Sequence, residues 1–244
     1  MDNTIVTMTV SFFEENVYQA LRRFFAPAVP YLFPRKILPS WLTFNYRVEM
    51  ITANQITVGR SLMAVPVATL AQQGFYGWAF TLFVIAGALD FVDGLVATVH
   101  RKLGFRDNPD LGAFLDAFCD KIFYIFMFIL TLMLGEYLMD IGVTIWLFGI
   151  AFLSVTCEIV LAVVRMNDYY YNKFDGHNGN RDLKAKGAGK LKFMLELIGL
   201  GGLILSLPSF NTWSFWVGLI CLTFSLPFAL ASLKQKLQQR QTTA

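Results

Sequence analysis

Apolar residues run in long blocks along the chain, and polar residues collect between them. Blocks of roughly membrane-spanning length fall near 55–72, 76–97, 111–134, 142–165, 190–207 and 212–233. Ahead of them, "SFFEENVYQALRRFFA" at 11–26 separates apolar from charged residues on two helical faces. That pattern predicts an amphipathic helix lying on a membrane surface. Pro27, Pro30, Pro34 and Pro39 then interrupt any long helix. Asn54 is a plausible N-cap for the first span, and "AQQGFYGW" is a turn with interfacial aromatics. The segments 98–111 and 166–188 read as polar connections, and the tail from 234 to 244 as soluble. The expectation is an all-α integral membrane protein. It has six transmembrane helices (51–233), an N-terminal juxtamembrane region (1–50) and a short tail (234–244).

Composition fits this frame: 56% of the 244 residues are hydrophobic. The formal charge is only +3, so where the charges sit matters more than their sum, and no nucleic-acid partner is expected. The connections near 71–76, 135–141 and 206–212 carry no Lys or Arg. All 20 basic residues lie on the other side of the alternation, which places both termini and both charged loops in the cytoplasm. The opening residues lack the pattern of a signal peptide. Cys119, Cys157 and Cys221 fall in apolar segments without a CxxC pair, so neither a disulfide framework nor a zinc site is expected.

The chemistry concentrates in "LDFVDGLVATVHRKLGFRDNPDLGAFLDAFCDK", residues 89–121. Asp90 and Asp93 are three apart near the end of the second span. Asp116 and Asp120 are four apart near the start of the third. Each spacing puts its pair on one helical face, and a hairpin lets the two faces meet. Four converging carboxylates must be neutralised by cations or be in part protonated, and an all-oxygen set suits Mg²⁺ or Mn²⁺. Two such ions about 3.5–4 Å apart are the arrangement used for displacement at phosphorus. A single aspartate at a span end is ordinarily just solvated, or paired with a base such as Lys121. Four at these spacings on consecutive spans favour a site. Gly94, Ala97 and Gly112 lie on or beside the aspartate faces and leave room for a ligand, although small residues also serve helix packing.

These residues resemble a known signature. Asp90-x2-Asp93-Gly94-x2-Ala97 followed by Gly112-x3-Asp116-x3-Asp120 is similar to the D-x2-D-G-x2-A-R-x8-G-x3-D-x3-D pattern of the CDP-alcohol phosphatidyltransferases. Further stretches resemble the phosphatidylglycerophosphate synthase branch. They are "ITANQITVGR" (Ala53 for a proline), "LGAFLDAFCDK", "CEIVLAVVR" (Cys157 for an arginine) and "GKLKFMLE" (Phe193 and Glu196 for Thr and Gln). Thr98 stands where the pattern has arginine, and 13 residues rather than eight separate it from Gly112. Arg101 and Arg106 are the candidates for the displaced charge.

The resemblance implies a six-span homodimer that moves a phosphatidyl group from CDP-diacylglycerol to a small polar alcohol and releases CMP. It implies a cytoplasm-facing site, as in a bacterial inner membrane. Two Mg²⁺ or Mn²⁺ ions would be held by Asp90, Asp93, Asp116 and Asp120, with Asp120 also the general base. Asn54, Thr57, Gly94, Ala97 and Gly112 would take the CDP moiety. Arg165, Lys190 and Lys192 suit an acceptor bearing phosphate, such as glycerol 3-phosphate, or else snorkel to lipid headgroups. Other acceptors of the same class are inositol phosphate, inositol, choline and phosphatidylglycerol. A diphosphate-binding prenyltransferase would carry a third aspartate in the first motif. A divalent-cation transporter would favour mid-bilayer sites. An inactive homologue is the third alternative. Asp168, Asp175, Glu196, His100 and His177 read as loop or span-end residues without a role.

Overall fold

The computed structural model describes residues 12–33, 52–103, 109–135, 141–174, 187–207 and 212–243, and every regular element among them is helical. A π-helical turn at Phe13–Tyr18 leads into α1 (Gln19–Phe25), and α2 (Val29–Leu32) follows a short 3₁₀ turn. Then come α3 (Ala53–Leu62), α4 (Ala64–Gln72), α5 (Tyr76–Lys102) and α6 (Pro109–Leu134). The last three are α7 (Ile141–Phe174), α8 (Gly187–Ser206) and α9 (Thr212–Thr243).

Among the described residues, four stretches are long and apolar enough to cross a membrane: Tyr76–Lys102, Leu111–Leu134, Gly142–Tyr171 and Trp213–Arg240. Much of their outer surface is exposed apolar side chain, including Trp78, Phe126, Phe152 and Trp216, as lipid contact requires of an integral membrane protein. The two other expected spans differ for local reasons. Pro66 has no N–H for the carbonyl of Leu62, so 53–72 forms two helices that meet at Met63. Helix α8 has the length, but Lys190, Lys192 and Glu196 interrupt its first half.

Thr52, rather than Asn54, caps α3. The Thr52 hydroxyl accepts from the Gln55 N–H at 3.3 Å, and the Gln55 side chain accepts from the Thr52 N–H at 2.9 Å. Asn54 is thereby left free to face the bundle interior. At the far end of α4, Gly74 takes φ +82°, and the Phe75 N–H reaches back to the Leu70 carbonyl at 2.8 Å. This Schellman turn sends the chain into α5.

The main core packs Val67, Phe83, Met127, Phe128, Leu203 and Leu222 between α4, α5, α6, α8 and α9. Helices α8 and α9 approach most closely. A Cβ on Gly202 would lie 2.7 Å from the Ser214 carbonyl oxygen, and one on Gly218 would lie 2.8 Å from that of Gly199. Backbone cannot yield as a side chain can, so the contact depends on glycine on both helices. A smaller core of Val29, Ala53, Ile56, Leu95 and Val96 fastens the N-terminal segment to α3 and α5.

Several polar residues are more structural than the sequence suggests. Helix α5 continues through 98–102, so His100 is a buried helical residue, with Nε2 3.2 Å from the Phe33 carbonyl. The residues from 234 to 243 extend α9 rather than forming a separate tail. From there Lys236 and Arg240 pair with the fully buried Asp168 at 3.1 and 2.9 Å. Arg106, Asp175 and His177 lie outside the described residues.

Gly202→Ala or Gly218→Ala should force α8 and α9 apart and cost about 1–3 kcal/mol. Gly149→Ala, with nothing within 4 Å of the new methyl, should be neutral. Thermal unfolding of the three variants in one detergent tests this. Equal midpoints would mean that the close approach of the helices does not hold the fold.

Candidate active site

Three helices build the site. Helix α5 brings Asp90 and Asp93 on one face, α6 brings Asp116 and Asp120, and α3 crosses both with Asn54, Thr57 and Arg60 one turn apart along a single stripe. Arg60, which has no expected role, is the centre of the arrangement. Its side chain is 1% exposed. Nη1 lies 3.0 Å from Asp90, Nε 3.9 Å from Asp93 and Nη2 3.7 Å from Asp116, and Nη2 donates directly to Asp120. A usable signal was present: an arginine in an apolar helix, three residues after Thr57.

Asp90, Asp116 and Asp120 each offer a carboxylate oxygen, and these oxygens lie within 4.8 Å of one another. Asp93 stands slightly apart and more buried, and its Oδ2 accepts the Thr57 hydroxyl proton at 2.7 Å. Arg60 balances only one of the four negative charges. Among the described residues, its Nε and Nη1 make no aligned hydrogen bond although carboxylates are near. The carboxylates thus keep lone pairs for further cations. A hard, oxygen-only donor set of this charge fits a divalent ion.

The aspartates form one end of a cavity of about 1010 Å³. Asn54, Thr57, Gly94, Ala97, Gly112, Arg165 and Lys190 line the same end, so the expected nucleotide residues and two of the three expected acceptor residues come together. A Cβ on Gly112 would lie 3.3 Å from Asn54 Oδ1, so glycine there permits the close contact of α6 with α3. Away from the carboxylates the lining turns apolar, with Phe80, Val84, Leu197, Ile198, Leu205 and Val217. Arg165 also carries a buried Nε with no hydrogen-bond partner among the described residues. Arg101 lines the cavity from an exposed position.

Lys192 departs from expectation. Two residues from Lys190 on a helix, it points to another side. It is buried, absent from the cavity lining and paired with Glu158, with Glu196 at 3.7 Å. Lys121 joins Glu158 at 2.8 Å, and Tyr124 meets Ser154 at 2.9 Å beside Glu196. Lys192 and Glu196 therefore belong to an internal ion network, and neither is a free span-end charge.

A family model described as CDP-alcohol phosphatidyltransferase matches residues 50–224, and the chain belongs to that family of phosphotransferases. Neither a search of curated proteins nor one of solved structures returned a match.

Thr57 holds Asp93 by a buried hydrogen bond, so Thr57→Val should weaken Mn²⁺ binding about 10–100-fold without unfolding the protein. Mn²⁺ titration followed by electron paramagnetic resonance measures this. Wild-type affinity in the variant would show that Asp93 needs no such support.

Proposed function

We propose that the protein transfers the phosphatidyl group of CDP-diacylglycerol to glycerol 3-phosphate, releasing CMP, as in the phosphatidylglycerophosphate synthase branch. The observation that carries the acceptor assignment is Arg165: a cation lining the cavity, with a buried N–H that has no hydrogen-bond partner among the described residues. An acceptor that itself bears phosphate supplies that partner. The continuous passage from carboxylates to an apolar groove suits a donor with a charged head and acyl chains.

In this reading Asp90, Asp93, Asp116 and Asp120 hold two divalent cations, Mg²⁺ or Mn²⁺. When bound, these neutralise charge on the pyrophosphate and on departing CMP. Asn54, Thr57, Gly94, Ala97 and Gly112 shape the nucleotide end. Asp120 takes the proton of the acceptor hydroxyl, whose oxygen bonds the diacylglycerol-bearing phosphorus. The bond from that phosphorus to the bridging oxygen breaks, and CMP leaves as the monoester. Arg60 keeps Asp120 oriented toward the reacting oxygen. Arg165 and Lys190 hold the acceptor's phosphate, while Lys192 keeps the surrounding helices in register.

The topology proposed with this function has six spans, the pair α3–α4 and the helix α8 completing the four apolar ones. Both termini and the carboxylate end face the cytoplasm, in a bacterial inner membrane, and the working unit is a homodimer.

CMP release by the purified protein, with CDP-diacylglycerol and Mg²⁺ or Mn²⁺, should depend on glycerol 3-phosphate. It should fall about 10²–10⁴-fold in Asp120→Asn. Arg165→Ala should raise the KM for glycerol 3-phosphate about 10–100-fold and leave that for the donor unchanged. Turnover with inositol phosphate, inositol, choline or phosphatidylglycerol instead would replace the acceptor. No CMP from any of these would refute the donor.

A further inference from the structure

Residues 12–33 lie outside the segment that the family model matches, yet they wall the polar end of the cavity through Val17, Tyr18 and Leu21. From α1, Arg22 reaches across to α5. Its Nη2 donates to the Gly94 carbonyl at 3.2 Å and to the Thr98 hydroxyl. That hydroxyl donates to the same carbonyl at 2.8 Å. The Gly94 carbonyl is already within the backbone ladder of a continuous helix, so the fold does not need a guanidinium there. Among the described residues, no hydrogen bond uses Arg22 Nη1 or Nε. Arg22 thus stands on the carbonyl of the cavity-lining Gly94 and on the one signature position, Thr98, that lacks its arginine, with donors to spare.

The neighbouring groups point the same way. The Arg22 guanidinium lies 5.4 Å from the centre of the Tyr18 ring, and Lys190 Nζ lies 4.2 Å from it on the cavity side. Tyr18 packs edge-on against Phe91 of α5 at 5.7 Å.

We propose that the N-terminal helix completes the donor site, with Arg22 supplying from α1 the guanidinium that the signature places at position 98 and binding the pyrophosphate of the CDP-linked donor. The inference rests on the donor reading above. A fork of N–H donors fixed on Gly94 and Thr98 suits phosphate oxygens better than a lysine in the same place.

CDP is the probe, with cytidine as the control lacking phosphate. Binding is measured by calorimetry on the full-length protein in lipid nanodiscs with Mg²⁺. Arg22→Ala should weaken CDP about 10–100-fold and leave cytidine unchanged. Arg22→Gln, which keeps amide donors for Gly94 and Thr98 without the charge, should lose CDP affinity almost as much. Adding Thr98→Arg to Arg22→Ala should restore most of it. Wild-type CDP affinity in Arg22→Gln, or a loss that Thr98→Arg does not restore, overturns the proposal. Failure of the wild-type protein to bind CDP overturns the donor reading and this inference with it.

Discussion

Everything at the polar end of the bundle depends on one buried guanidinium. Carboxylate oxygens within 4.8 Å of one another repel by about 3 kcal/mol per pair, even at an effective dielectric near 20. Two helices carrying two aspartates each would part at that end unless a cation stood between them. Arg60 is that cation, and it comes from α3, which touches both α5 and α6. Its position follows from features with no charge at all. The Thr52–Gln55 capping box fixes where α3 starts, and the interruption before Pro66 fixes where it stops. The short helix between these points presents Asn54, Thr57 and Arg60 to the site.

The sequence made the aspartate geometry legible because three- and four-residue spacings translate directly into one helical face. The span positions were legible for the same reason: the apolar blocks at 76–97 and 111–134 lie within α5 and α6. What escaped was whatever depends on partners distant in the chain. Asp168 looked like a loop charge because its partners, Lys236 and Arg240, lie about seventy residues away in a segment that reads as a tail. His100 looked solvated because the helix carrying it outlasts its apolar run. Arg22 looked like one more basic residue on a surface helix. No local pattern says that such a helix folds back on Gly94 and Thr98.

The bundle treats its buried charges in two ways. Glu158 is shared by Lys121 and Lys192, and Glu196 is held by Lys192 and Ser154, so this cluster balances its charge within itself. Replacing one member strands its partner, and such a network serves to fix helix positions. The aspartate cluster is left unbalanced, with one arginine against four carboxylates, and it opens on a cavity. Lys190 and Lys192 show how fine the division is. Two residues of the same type, two positions apart on one helix, fall on opposite sides of it.

Two of the helices that line the cavity, α8 and α5, change character along the face they turn to it. On α8 the lining residues Lys190, Met194, Leu197, Ile198, Gly201 and Leu205 recur every three or four positions, passing from a cation to hydrocarbon. On α5 the stripe runs the other way along the chain, from Phe80, Val84 and Gly87 to Asp90, Gly94 and Arg101. Two antiparallel stripes therefore change from apolar to charged at the same level, where Gly87 meets Leu197 with only 3.3 Å for an added Cβ. A water-soluble ligand would gain nothing from the apolar half, and a neutral lipid nothing from the carboxylates. A molecule whose charged head and hydrocarbon tail join at one point matches both. Its reactive phosphorus would then lie where the stripes change character, beside the aspartates.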